Sequence, residues 1–153
     1  MGHFSEPVHV LLGGSKTEFI QPYATGLYFT QGGNQLQKLV DEAIMYKNQG
    51  FKAIKMKVGL DIETDKKHVE AVAEAIGPDT KLMIDANHAY NLKEATELCS
   101  WLDQRFDITW FEEPVSPELY DHYAQLRFQC CQLLSQLQKF AYSNKVKVFL
   151  ISH

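Results

Sequence analysis

The chain has 153 residues, 45% of them hydrophobic and 22% charged, which suits one domain of ordinary size with a polar surface. No apolar run approaches the ~18 residues of a membrane-spanning helix, and no charged-then-apolar leader opens the chain, so membrane and secreted classes are set aside. A formal charge of −4 offers no basic stripe for nucleic acid, and Cys99, Cys130 and Cys131 form no disulfide framework or zinc pattern; a reducing cytoplasm is the simplest setting.

Apolar runs alternate with helix-like stretches from residue 20 onward. Ile20 to Leu27 reads as a strand, and Gly32-Gly33-Asn34 breaks into a helix over 34–49, with Leu36, Leu39, Val40, Ala43, Ile44 and Tyr46 at helical spacing and a stop at Gly50. Ala53 to Val58 is a short strand closed by Gly59. Asp61 to Ile76 is a second helix with Val69, Val72, Ala73 and Ile76 on one face, stopped by Gly77-Pro78. Lys81 to Ala86 is a third strand, Leu92 to Leu102 a third helix, and Ile108 to Phe111 a fourth strand ended by Pro114. Pro117 to Arg127 opens a fourth helix with proline in its first turn. Strands alternating with helices at this spacing predict βαβ units and a parallel sheet. Periodicity alone leaves two architectures open, a doubly wound sheet and a run of a (β/α)₈ barrel.

Composition breaks near the end. Residues 1–127 hold all 19 acidic residues and 12 of the 15 basic ones, whereas 128–153 hold three lysines, four glutamines, two cysteines and no acid. Phe128 to Phe140 can continue the fourth helix, and Lys145 to Ser152 is β-prone enough to add a strand to a sheet edge.

Several strands end in residues that a buried strand should avoid. Lys55 and Lys57 are two apart and share a face, with Ile54, Met56 and Val58 on the other. On an inner face the two ammonium groups repel and lose hydration, which lowers the pKa of at least one and suits a general base. An exposed edge strand with two solvated lysines is the competing reading. Asp85 and Asn87 end the third strand on one face, and Glu112-Glu113 end the fourth, where only one of two neighbours can point inward. Three successive strand ends thus offer lysine, aspartate and glutamate at the rim where parallel α/β folds bind ligands. Two carboxylates from adjacent strands suit magnesium, which takes oxygen ligands and keeps waters.

KMKVG (55–59), IDANHAY (84–90) and WFEEP (110–114), in this order and spacing, resemble the mandelate racemase/muconate lactonizing branch of the enolase superfamily. PVHVLLGG (7–14) followed by QPYATG (21–26) is similar to the join between that family's capping domain and its first barrel strand. The stretches around 75–95 and 110–127 resemble its sugar-acid members, galactarolactone cycloisomerase and acid-sugar dehydratases among them. The resemblance implies a partial (β/α)₈, TIM-type barrel of about four βα units. Residues 1–19 would be a remnant of the capping-domain junction, 20–127 the partial barrel, and 128–153 an atypical tail.

It also implies a chemistry. In that family a substrate carboxylate binds magnesium, a base removes the adjacent α-proton, and the metal stabilises the enediolate. Matched position by position, Lys57 resembles the acid/base and Lys55 the lysine that helps hold the substrate carboxylate. Asp85 and Glu112 resemble the first two metal ligands, and Asn87 a supporting residue facing the site. Glu113 is read as structural, and His88 and Tyr90 as loop packing.

The family pattern runs to at least twice this length, so the expectation is a chain without the capping domain, the third acidic ligand, or the later strands with the opposite-face acid/base. The composition break falls where the resemblance ends, as a frameshift, an insertion or a truncated reading frame would leave it. Magnesium binding weaker than millimolar, negligible turnover and homo-oligomers through open barrel edges are expected. The reading from another class is a non-catalytic half-barrel serving as an assembly or interaction module. Gly13-Gly14-Ser15-Lys16-Thr17 fails as a phosphate loop because serine replaces the glycine before lysine, and no G-x-G-x-x-G follows the first strand.

Overall fold

The structure, a computed structural model, describes residues 8–11, 13–14, 19–30, 32–130, 139–143 and 146–150. In chain order the elements are α1 (Val8–Leu11), β1 (Ala24–Thr25), α2 (Gln35–Asn48), β2 (Ala53–Lys57), α3 (Ile62–Ile76), β3 (Lys81–Asp85), α4 (Leu92–Asp103), β4 (Ile108–Glu112), α5 (Tyr120–Gln129), β5 (Lys139–Ser143) and β6 (Val146–Leu150). The helix starts are written into the sequence. Asn34, Asp61 and Asn91 sit in extended backbone and accept the amide hydrogens of Gln37, Thr64 and Glu94. Glu94 returns the bond to the Asn91 N–H at 2.9 Å, closing a reciprocal cap on α4.

The first four strands form one parallel sheet in the order β1-β2-β3-β4. This order removes the ambiguity of the sequence. A doubly wound sheet reverses its strand order at a switch point, whereas here each strand is added beside its predecessor. Consecutive helices pack side by side, α2 on α3, α3 on α4 and α4 on α5, as in the wall of a barrel. Ile54, Met56, Ile84 and Phe111 from the sheet form one buried cluster with Val69, Val72, Ala95, Leu98 and Leu102 from the helices. At about 1.5–3 kcal/mol per buried side chain, this layer holds the fold and leaves the opposite sheet face for polar groups.

That opposite face is concave. The rings of Tyr23, beside β1, and Trp110, on β4, meet edge to face with centroids 5.4 Å apart. Strands three places apart in a flat sheet stand about 14 Å from each other, so the sheet curls toward this face.

Three details depart from the sequence reading. β1 is confined to Ala24–Thr25, because Pro22 has no amide hydrogen to give and β1 pairs only with β2 in this sheet. α5 begins at Tyr120 and not at Pro117, which lies in the turn before it, and its N-cap Leu119 makes no side-chain cap. In α2 only Leu39 and Ala43 are buried; Leu36 and Ile44 remain exposed.

The tail departs as well. β6 pairs antiparallel with β5 in a separate two-stranded sheet and does not extend the parallel one, and Lys139 and Phe140 are strand, not helix. The helical expectation for 131–138 lies outside the described residues, as do residues 1–7 of the junction segment and 15–18 of the rejected phosphate loop.

Candidate active site

The ends of β2, β3 and β4 bring the singled-out residues together. Lys57 is the cross-strand partner of Asp85, and Asp85 of Glu112, so the three stand in one row across the sheet. Glu112 reaches that row through an irregularity. Leu82 pairs with Ile108 but Met83 pairs with Trp110, so β4 carries one extra residue, Thr109. Without it Phe111 would stand opposite Asp85 and Glu112 would turn toward the helices.

The side chains close a network of alternating charge. Lys57 Nζ donates to Asp85 Oδ2 and to Asn87 Oδ1, both at 2.8 Å. Lys55 Nζ lies 2.7 Å from Glu112 Oε2 and 3.2 Å from Asp85 Oδ2, with the Tyr23 ring centroid 6.0 Å away. The Asn87 amide hydrogen goes to Asp85 Oδ1 at 3.1 Å. All four charged side chains are mostly withdrawn from water, with 7–21% of each exposed.

The electrostatics bear on one of the two lysines. Burial pulls the Lys55 pKa down, but hydrogen bonds and charge from Glu112, then Asp85, outweigh it, and Lys55 ends above its ordinary value. The repulsion assumed from lysine spacing ignored the carboxylates supplied by the next two strands. Asp85 is held below the usual carboxylate range: burial raises it, and the bonds from Lys57 and Lys55 more than reverse that.

The rim also contains residues assigned no chemistry in the sequence. Glu113 Oε2 accepts from Asn87 Nδ2 at 3.4 Å and lies 3.3 Å from His88 Nε2. Strand alternation no longer governs Glu113, because it lies beyond β4 with φ at +46°. Leu27, Asn87, His88 and Glu113 are the four non-glycine residues with positive φ among the described residues, and each follows a strand end. Left-handed backbone at such residues costs on the order of 1–3 kcal/mol each and gathers at sites where geometry is imposed. Tyr23 was not singled out in the sequence; it lies two residues before Thr25, and the pairing of Thr25 with Lys55 comes from the sheet register.

Tyr90 does more than pack. Its hydroxyl donates to Asp65 Oδ2 at 2.7 Å, and the Gly59 and Leu60 amides donate to the same oxygen at 3.0 Å. This buried carboxylate ties the loop after Lys57 to the loop after Asp85. Gly59 is required there, since φ is +115° and a Cβ would come within 2.6 Å of Ala89 Cβ. Nothing in the sequence separated Asp65 from the other acids of α3.

Asp85 and Glu112 already share a cation, the Lys55 ammonium, and their oxygens are the donors a hard divalent ion prefers. Among the described residues no group of three acidic, histidine or cysteine side chains is arranged to hold a metal.

Residues 38–137 match the family described as Enolase C-terminal domain-like. The chain belongs to this family. Within the enolase C-terminal domain-like family it is 42% identical over 125 residues to the D-galactarolactone cycloisomerase of Agrobacterium fabrum, covering 82% of this chain and 33% of that protein. Its fold superimposes on the 3,6-anhydro-D-galactonate cycloisomerase of Zobellia galactanivorans with a TM-score of 0.72 and 59% identity, covering 80% of this chain and 33% of that one. A dipeptide epimerase from Cytophaga hutchinsonii, solved with Mg and the dipeptide D-Ala-L-Val, gives a TM-score of 0.71 at 33% identity, over 81% of this chain and 32% of its own. The chain therefore spans about a third of the length of these relatives, and its four-strand sheet is part of an enolase-type barrel.

Proposed function

We propose that residues 20–127 carry half of an active site for removing the proton α to a carboxylate in sugar acids or related acids, as a racemase, dehydratase or cycloisomerase requires. The observation that carries this reading is the row Lys57–Asp85–Glu112 with Lys55 joining both carboxylates. Two relatives named for sugar-acid cycloisomerisation and one for dipeptide epimerisation support the substrate class.

In this reading Asp85 and Glu112 would hold a magnesium ion, which would supply positive charge to a substrate carboxylate. Lys55 Nζ, released from Glu112, donates to that carboxylate. Lys57 Nζ, held by Asp85 and Asn87, accepts the α-proton as the neutral amine and exchanges it with solvent. Asn87 fixes the direction of the amine, and Glu113 fixes Asn87. With Lys57 neutral, Lys55 and the two carboxylates leave one negative charge, so a divalent cation would make the site positive and favour an anionic substrate.

A base on one face exchanges the proton without inverting the centre, since inversion needs a second group opposite. The test is α-proton exchange in deuterium oxide, with magnesium and a panel of aldonic and aldaric acids, read by proton NMR. Slow exchange with retained configuration, lost in Lys57→Ala, is the expected result. A folded protein that exchanges nothing overturns the catalytic reading.

A second reading, an assembly module of the half-barrel, is favoured by the apolar residues around β1. Ile20 is 85% exposed, and Tyr28 and Phe29 are also exposed. We place a second copy of the chain against this edge; sedimentation of a monodisperse dimer that dissociates on Ile20→Lys would support it. No helix among the described residues is long and apolar enough to cross a membrane, and we assign the chain to the cytoplasm, with no nucleic-acid or membrane partner.

A further inference from the structure

β1 and β4 are the two edges of the parallel sheet, and among the described residues no further strand pairs with either. The helices repeat this pattern. α3 and α4 each sit between two helix neighbours, whereas α2 packs against α3 and α5 against α4, each on one flank. Apolar side chains stay in water at both ends of the wall. Ile20 and Tyr28, before and after β1, and Met45 of α2 are exposed at one end; Leu119, Tyr120 and Phe128, at the start and along the length of α5, are exposed at the other. α5 buries Leu126 alone among its 10 residues. Edge strands invite pairing with another chain, and exposed apolar surface marks where a partner sits.

The two unlike edges decide which partner fits. A TIM-type barrel closes with eight parallel strands. This chain supplies four consecutive ones, curled so that Tyr23 beside β1 and Trp110 of β4 meet with ring centroids 5.4 Å apart. A second copy supplies the other four. Its β1 continues the parallel sheet from β4, and its β4 returns to β1, so one two-fold axis along the barrel closes both junctions and leaves no edge. Joining β1 to β1 instead makes an antiparallel pair and leaves both β4 edges open.

We propose that two copies of the chain close one eight-stranded barrel, with β4 of each beside β1 of the other. The proposal rests on the assembly reading above and gives it a geometry. α5 of one copy then lies against α2 of its partner, covering the outer flanks of both helices. Four strands separate β2 from the β2 of the second copy, half the circumference, so the partner's Lys57 stands across the barrel mouth from Lys57. The mouth is lined from both copies.

The test mixes the unlabelled full chain with heavy-nitrogen-labelled chain, measures its sedimenting mass, and joins amines to carboxylates with a carbodiimide before mass spectrometry. Lys66 Nζ and Glu97 Oε1, 2.7 Å apart between α3 and α4, give a link within one copy and show that the reagent reads neighbouring helices. The expected result is twice the mass of one chain, with mixed-label links from Lys38 of α2 to Asp121 of α5, both near the starts of their helices. A dimer whose mixed links run from Lys38 or Lys47 to Asp41 or Glu42, α2 to α2, would overturn the closed barrel and leave an edge-to-edge assembly standing. A dimer with no mixed link, or an open polymer, would overturn the closure in the same way. A monomer carrying the Lys66–Glu97 link alone would overturn both the closure and the assembly reading.

Discussion

Lys57 and Asp85 are partners twice, in the backbone register of β2 and β3 and through a 2.8 Å contact from Nζ to Oδ2. Asp85 also serves Lys55, so one carboxylate compensates two mostly buried ammonium groups. Asp85→Ala should cost about 2–4 kcal/mol in urea unfolding, because leaving a buried charge without its partner is the expensive change. Lys57→Met in that background should recover part of the loss. If the two changes simply add, the lysine–aspartate contact is not what stabilises the rim.

The same network would set the affinity of the proposed metal site. A divalent ion must displace Lys55 from between Asp85 and Glu112, and it finds two protein carboxylates there. Magnesium should bind with Kd above about 1 mM, weaker than about −4 kcal/mol. Lys55→Met removes the competing charge and should tighten Kd by about tenfold or more in calorimetric titration. Micromolar binding by the unmodified chain would overturn this account.

Asp65 gathers three donors on one oxygen, from Gly59, Leu60 and Tyr90. Tyr90→Phe removes one bond and leaves the carboxylate two, an expected cost of about 1–2 kcal/mol. Asp65→Ala strands all three donors and should cost about 3 kcal/mol or more, read from the shift in denaturation midpoint. Equal losses for the two variants would contradict the assigned geometry.

His68 gives a pH dependence with a defined sign. It is buried with Nδ1 unpaired, and burial lowers its pKa, against the raising effect of Asp65 and Asp61. The unfolded chain, with His near 6.5, takes up the proton first, so stability falls as pH drops through about 6.5 and levels off below the folded value. Asp65 acts oppositely: burial raises it despite its three hydrogen bonds, so folding gains stability as pH falls through its raised value. His68→Gln should therefore flatten the loss between about pH 7.5 and 5.5 in denaturant titrations, and an unchanged slope would exclude His68 as its source.

Strand and helix order was legible because local signals agreed. Asn34, Asp61 and Asn91 start helices that end near Gly50, Gly77 and Gln104, and the strands between them carry apolar alternation. The start of α5 was not legible, since proline commonly opens a helix and the turn at Pro117 and Glu118 overrides that preference. The tail strand was expected on the barrel edge, but β5 lies next to it in the chain and closes a hairpin that needs no distant partner.

The sequence by itself determined which groups arrive at the rim, because period-2 alternation puts Lys55 with Lys57 and Asp85 with Asn87, and the strand ends carry these groups to one edge. Only the tertiary structure decided how they meet. The extra residue Thr109 shifts the β4 register so that Glu112, and not Phe111, stands beside Asp85. A bulge arises from how two strands fit around a curved sheet, and no pattern within one strand encodes it. For the same reason the raised pKa of Lys55 was not legible within its own strand: the carboxylates that hold it charged, Asp85 and Glu112, lie 30 and 57 residues further along the chain.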